Sequence, residues 1–290
     1  MRERDVKVGE RSLEVWDGGE EHGPAILYHH GTPSCGQLYD NWVQDAQGRG
    51  LRLVGYSRPG YGGSTRRQGR DVAQCVEDVT AIADALGIER FSSWGASGGG
   101  PHVLACAALL PDRVVAAASL ASVAPYDAPG LEFLAGMGED NIVEFHAALQ
   151  GEEALTALVD AEVQATRGAT MEQMAENMST VLSAVDRAAY SDEFGAHLMR
   201  SGKHALSNGG GGWVDDDLAF TRSWGFALRD IRIPLQIWQG GEDLMVPPAH
   251  GAWLAGQLPQ AVFMARPEDG HLALATRRIS EVHAWLASHF

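Results

Sequence analysis

The stretch Arg90-Phe91-Ser92-Ser93-Trp94-Gly95-Ala96-Ser97-Gly98-Gly99-Gly100-Pro101-His102 constrains the fold of this chain more than any other. Phe91 to Trp94 are β-forming, and Val103 to Leu110 is an apolar helical run stopped by Pro111. Between them a Gly-x-Ser-x-Gly corner puts Ser97 at the apex of a sharp strand-to-helix turn. Residues two before and two after such a serine must be small, and Gly95 and Gly99 are. Ser97 is therefore a candidate nucleophile. A dinucleotide-phosphate cradle is disfavoured, because the glycines run Gly95-x-x-Gly98-x-Gly100 and the next strand ends in Ala118-Ser119-Leu120-Ala121 without an acidic residue. A plain helix N-cap serine remains open on this segment alone.

The rest of the chain narrows the class. Its 290 residues suit one α/β core carrying an insertion, and 45% hydrophobic residues are ample for that core. A formal charge of −16 argues against nucleic acid or an anionic membrane surface as partner, since both require clustered Lys and Arg. Cys35, Cys75 and Cys106 lie in separate segments without C-x-x-C spacing, which predicts neither a disulfide framework nor a metal site. The charged start Met1-Arg2-Glu3-Arg4-Asp5 has no apolar signal region, and runs such as Val114–Leu120 fall short of the about 20 residues that span a bilayer. A cytoplasmic location is expected.

Strand and helix patterns alternate along the first part of the chain. Val6-Lys7-Val8 and Leu13-Glu14-Val15-Trp16 predict a hairpin, and Ala25-Ile26-Leu27-Tyr28-His29 a strand buried on both faces, ending in His30-Gly31-Thr32-Pro33. A helix bearing Leu38, Trp42, Val43 and Ala46, a strand over 51–56, a Gly/Pro loop from Ser57 to Ser64 and a helix over 71–86 follow. This rhythm predicts an α/β fold with a mostly parallel central sheet flanked by helices. From about Ala124 to Asp230 strands vanish and amphipathic helices succeed one another, which predicts a helical cap at 124–230 inserted into a core of 1–123 and 231–290. Within it, Asn208-Gly209-Gly210-Gly211-Gly212 reads as a flexible loop, either a hinge or a connector. Beyond it come a strand at 234–238, the loop Gly240-Gly241-Glu242-Asp243, a helix over 247–258, a strand at 262–265, and Arg266-Pro267-Glu268-Asp269-Gly270-His271.

Taken together, Ser97, Asp243 and His271, each in a loop after a strand and in that chain order, resemble the α/β-hydrolase superfamily nearly end to end. The resemblance implies a serine hydrolase with a helical cap, in which Asp243 orients His271 and His271 takes and returns the Ser97 proton. Glu242 competes with Asp243 for that role. The resemblance also implies an oxyanion hole from the backbone N–H groups of Gly98 and Thr32, each such donor being worth roughly 3 to 4 kcal/mol. His30, His102, Leu134 and Met137 are candidates to contact a small-molecule substrate, and no cofactor or metal is implied. Other apolar cap positions, Leu131, Phe133, Ile142 and Phe145, are candidates for the pocket roof. The implied reaction is hydrolysis of an ester or related acyl bond. The alternative is an aminopeptidase: Ser93-Trp94-Gly95-Ala96-Ser97 is similar to the elbow of proline iminopeptidases, and Glu139, Asp140, Glu144, Glu152 and Glu153 could receive a substrate ammonium. A non-catalytic binding protein on the same fold is a third reading.

Overall fold

The computed structural model of the chain describes residues 1–191 and 193–290. Among these residues, eight strands form one sheet: β1 (Arg2–Val8), β2 (Arg11–Gly19), β3 (Ala25–His29), β4 (Arg52–Tyr56), β5 (Phe91–Ala96), β6 (Val114–Leu120), β7 (Leu235–Gly240) and β8 (Val262–Arg266), in the order β1-β2-β4-β3-β5-β6-β7-β8. The hairpin β1–β2 and the pair β2–β4 are antiparallel, and every pair from β4 to β8 is parallel. The helices are α1 (Asp40–Gly48), α2 (Cys75–Ala85), α3 (Gly100–Leu109), α4 (Glu139–Gln150), α5 (Glu152–Gly168), α6 (Met171–Asn177), α7 (Ala184–Tyr190), α8 (Glu193–Ala205), α9 (Gly211–Phe220), α10 (Pro248–Gln257), α11 (His271–Arg277) and α12 (Ile279–Ala287). None of the described helices is long and apolar enough to cross a membrane.

Both faces of the central strands are covered, which is why their sequences are apolar at successive positions. Alternate side chains go to opposite sides. Ile26, Leu53 and Trp94 join Trp42 and Ala46 of α1 and Val282 and Leu286 of α12, whereas Leu27, Val54 and Phe91 join Val79 and Ile82 of α2, Val103 and Leu104 of α3 and Leu254 of α10. Helix α2 starts at Cys75 rather than near Asp71, because reciprocal bonds between Asp71 and Gln74 close a separate turn there. Parallel pairing in register, with His29 opposite Gly95 and Gly240 opposite Arg266, brings the loops after β3, β5, β7 and β8 to one edge of the sheet.

Between β6 and β7 the described chain is helical, from α4 to α9. Its apolar residues seat it on the core. Phe133 packs edge-on against Phe145 and His250, and Phe133, Met137 and Phe145 belong to the same buried cluster as Val246 and Leu254. Helix α9 is enclosed along almost its whole length, so Asp215, Asp216 and Asp217 are all buried. The glycines before them do not form the flexible loop that their composition predicts. Gly211 and Gly212 begin α9, a Cβ on Gly212 would lie 2.7 Å from the Gly60 backbone, and a Cβ on Gly210 would overlap Val159. Close packing, not mobility, requires glycine at Gly210 and Gly212; only Gly209, at φ 102°, stands in open space.

Candidate active site

Ser97 leaves the end of β5 in a left-handed conformation, φ 55°, one of two such non-glycine residues among those described. That twist lifts it clear of the sheet while the chain folds back beneath it. A Cβ on Gly95 would lie 2.9 Å from the Gly99 and His29 carbonyl oxygens, and one on Gly99 would overlap the His29 carbonyl, so both flanking glycines are required sterically. Ser97 itself is only half-buried and borders the loop after β3: a Cβ on Gly31 would stand 4.0 Å from Ser97 Oγ.

His271 opens α11 and donates its Nδ1–H to Asp243 Oδ2 at 2.8 Å. Oδ1 of Asp243 accepts from the backbone N–H groups of Met245 (2.9 Å) and Val246 (2.8 Å), and Gln239 Nε2 donates to Oδ2 at 3.3 Å. Glu242, one residue earlier, is exposed. Burial disfavours the imidazolium of His271, yet the Asp243 charge and hydrogen bond, with the charge of Asp186, outweigh it and raise the His271 pKa above its ordinary value. With Nδ1 committed as donor, Nε2 is the acceptor nitrogen.

Two more aspartates, both from the helices between β6 and β7, hold this machinery. Asp216 of α9 accepts from Thr32 Oγ1, Tyr61 Oη and Arg58 Nη2, each at 2.7 Å, and pairs with Arg70 Nη2 at 2.6 Å. Arg58, itself buried, also donates to the carbonyls of His30 and Gly31 and to Thr32 Oγ1, so the loop beside Ser97 is fixed by a charged network. Asp186 of α7 accepts from the backbone N–H groups of His271 (2.9 Å), Leu272 (2.8 Å) and Ala273 (3.0 Å).

The other sequence candidates fall as follows. The Thr32 side chain abuts Gly98, with the Phe220 ring on the same spot: a Cβ on Gly98 would overlap Thr32 Oγ1 and lie 3.1 Å from Phe220 Cζ. His30 is buried with both ring nitrogens engaged, Nδ1 donating to Gly31 O (2.7 Å) and Nε2 accepting from the Arg58 N–H (3.0 Å). Burial and then the Arg58 charge push its pKa well below the imidazole range, so it is a neutral brace with no nitrogen left for substrate. His102 is also buried, donating Nδ1 to Gly98 O at 2.8 Å. Met137 is buried and Leu134 half-buried against the core cluster. Of the acids at 139–153, Glu144 accepts from Trp213, Asp140 from Thr180, and Glu152 from Arg66 and Gln68. Sequence reasoning missed Arg58, Asp186, Asp216 and Phe220. The one signal, and for Asp216 alone, was an acidic triplet inside an apolar helix, Trp213-Val214-Asp215-Asp216-Asp217-Leu218.

Comparisons with known proteins agree with this architecture. The family model described as alpha/beta hydrolase fold matches residues 24–277. A bifunctional esterase/perhydrolase of Acinetobacter calcoaceticus is 34% identical over 110 residues, 38% of this chain and 40% of that protein. The acetyltransferase component of an acetoin cleaving system from Pseudomonas putida is 27% identical over 272 residues, 92% of this chain and 64% of that one. The chain thus spans about two-fifths to two-thirds of the length of these curated relatives. Among solved structures, a bromoperoxidase from Bacillus anthracis superposes with a TM-score of 0.71 at 20% identity, covering 98% of both chains. An enol-lactonase from Burkholderia xenovorans superposes with a TM-score of 0.68 at 20% identity, covering 98% of this chain and 100% of that one.

Proposed function

Given that the chain belongs to the α/β-hydrolase family, we propose that it is a serine hydrolase cleaving an ester or related acyl bond of a small, largely apolar substrate. The observation that carries the reading is the 2.8 Å bond from His271 Nδ1 to the buried Asp243, which leaves Nε2 to act as base at the edge of the sheet where Ser97 stands. In this mechanism Ser97 Oγ attacks the carbonyl carbon as its proton passes to His271 Nε2. The N–H groups of Gly98 and Thr32 stabilise the oxyanion, and His271 returns the proton to the leaving group, giving an acyl-Ser97 intermediate. Water, deprotonated by His271, then releases the acid and restores Ser97. Residues 124–230 act as a cap over this edge of the sheet.

A serine at 97, where an alkyl-enzyme route through carboxylate attack would need Asp, supports acyl transfer. Of the five acids that the aminopeptidase alternative would offer to a substrate ammonium, Asp140, Glu144 and Glu152 are engaged with Thr180, Trp213, Arg66 and Gln68, which weakens that reading, while Glu139 and Glu153 are exposed. A fluorophosphonate should label the protein on Ser97 and fail to label Ser97→Ala; labelling that persists in the variant rejects the nucleophile. Turnover of short-chain p-nitrophenyl esters without turnover of prolyl or alanyl anilides is the expected specificity, and the reverse pattern would move the protein to the aminopeptidases.

A further inference from the structure

We propose that Asp186, carried by the inserted helices, is a positioning residue for the general base: its carboxylate anchors the first turn of α11 and so fixes the imidazole of His271 between Asp243 and Ser97. The proposal rests on reading His271 as that base. Helix α11 begins at His271 itself, and a helix start leaves its first N–H groups without intrahelical partners. The residue before it, Gly270, has no side chain to cap them. Asp186 fills that role from a distant part of the chain. Its Oδ1 accepts from the N–H groups of Leu272 and Ala273, and its Oδ2 from the N–H of His271 and the hydroxyl of Ser183. The carboxylate is fully enclosed, so water cannot replace it as acceptor.

Gly270 is the matching concession on the core side. Its backbone is extended, φ −97° and ψ −162°, a conformation open to any residue. What excludes a side chain is the neighbour: a Cβ at 270 would overlap the Asp186 carboxylate. Gly270 and Asp186 thus form a lock between the inserted helices and the histidine loop. The charges acting on the imidazole are those of Asp243 and Asp186. Asp269, two residues before His271, is paired with Arg277 at 3.1 Å and Arg278 at 2.6 Å, and Glu242 is exposed on its own loop.

Two variants attack the lock from opposite sides. Asp186→Asn removes the charge at constant size, and Gly270→Ala leaves the charge but pushes it away. Proton NMR of the imidazole, assigned by its loss in His271→Gln, reads the His271 titration whether or not any ester is turned over. In both variants His271 is expected to titrate at lower pH than in the parent and its Nδ1 proton to exchange faster. The value of kcat should fall by about 100-fold, the size of effect that a small misplacement of a catalytic group produces, with KM nearly unchanged. Asp186→Ser serves in place of Asp186→Asn should the latter not fold, circular dichroism being the check. Folded variants with the parent's His271 titration and kcat would overturn the proposal. Absence of fluorophosphonate labelling in the parent would instead reject the hydrolase reading, and the NMR comparison would still decide the role of Asp186.

Discussion

At one end of the candidate site Asp216 holds the loop after β3 by facing two buried arginines, Arg58 and Arg70; at the other, Asp186 holds the start of α11 through three backbone N–H groups and one hydroxyl. Both aspartates come from the helices between β6 and β7, and both are fully buried. The physics differs. Taking Asp216 and two guanidinium ions out of water costs several kcal/mol per ion, offset only while every member of the cluster is present. Asp186 has no cation to strand if it is lost; its removal leaves orphaned N–H groups, each costing about 1 to 3 kcal/mol. Loss of either anchor therefore costs several kcal/mol, and the difference lies in its source: stranded cations beside the loop after β3, and orphaned N–H groups at the start of α11.

The largest expected effect lies at Asp243, the carboxylate that touches the base directly and against which both indirect anchors are measured. Asp243→Asn should lower kcat by about ten-thousandfold by disfavouring the Nδ1–H tautomer, with the fold retained. It should also move the pH profile. His271 acts as base only when neutral, and its pKa stands above the ordinary 6.5, so kcat/KM of the parent should be lost as pH falls through that raised value. In the variant the same limb should lie at lower pH. The sign is opposite for folding: the His271 contribution to stability is complete below about pH 6.5 and disappears as pH rises through the raised pKa. A profile unchanged in Asp243→Asn would detach His271 from its carboxylate and dissolve the comparison.

Next in size is Asp216→Ala, which strands Arg58 and Arg70. Loss of about 3 to 5 kcal/mol is expected in urea or thermal unfolding. The pKa of Asp216 lies well below the carboxylate range; burial would raise it, and Arg58 and Arg70 override that effect. Its stabilising contribution is present above the unfolded value of about 3.9 and is lost as pH falls below it, so the parent, but not the variant, should lose this share of its stability between about pH 4 and lower pH. A variant within about 1 kcal/mol of the parent would show that Arg58 and Arg70 are not stranded by the loss of Asp216, and would remove the ionic half of the comparison.

Sequence made the scaffold legible where the physics is local. Ala25–His29 and Val114–Leu120 are apolar at almost every position because both faces of their strands are covered, and Gly95 and Gly99 flank Ser97 because their Cβ atoms would meet the backbone. The anchors were not legible because their partners are far along the chain. Asp215 and Asp216 find their partners, Arg66 for the one and Arg58 and Arg70 for the other, some 150 residues earlier in the chain. Asp186 meets α11 85 residues later. The glycines at 209–212 read as slack chain, since nothing nearby in sequence announces that Gly60 and Val159 press against them.

The smallest effect is expected one residue beyond Asp216. Asp217 is also buried, but its neighbour is another acid: it is hydrogen-bonded to Glu144, which accepts from Trp213 Nε1 at 2.7 Å. Burial and then the Glu144 charge push the Asp217 pKa well above the carboxylate range, so Asp217 is the protonated partner. Asparagine has the same shape as a neutral aspartic acid and can likewise donate to Glu144. Asp217→Asn should therefore cost no more than about 1 kcal/mol of stability, the net worth of one hydrogen bond. The pH dependence sharpens the point. A carboxyl group whose folded pKa is raised makes the parent less stable as pH climbs from its unfolded value of about 3.9 towards the folded one, and the amide removes that loss. Parent and variant should then melt nearly together at pH 4, and at pH 8 the variant should equal or exceed the parent. A loss of several kcal/mol at pH 8, comparable with Asp216→Ala, would mean that Asp217 carries a charge matched by a cation, and would extend the ionic regime around Asp216 across the whole of α9.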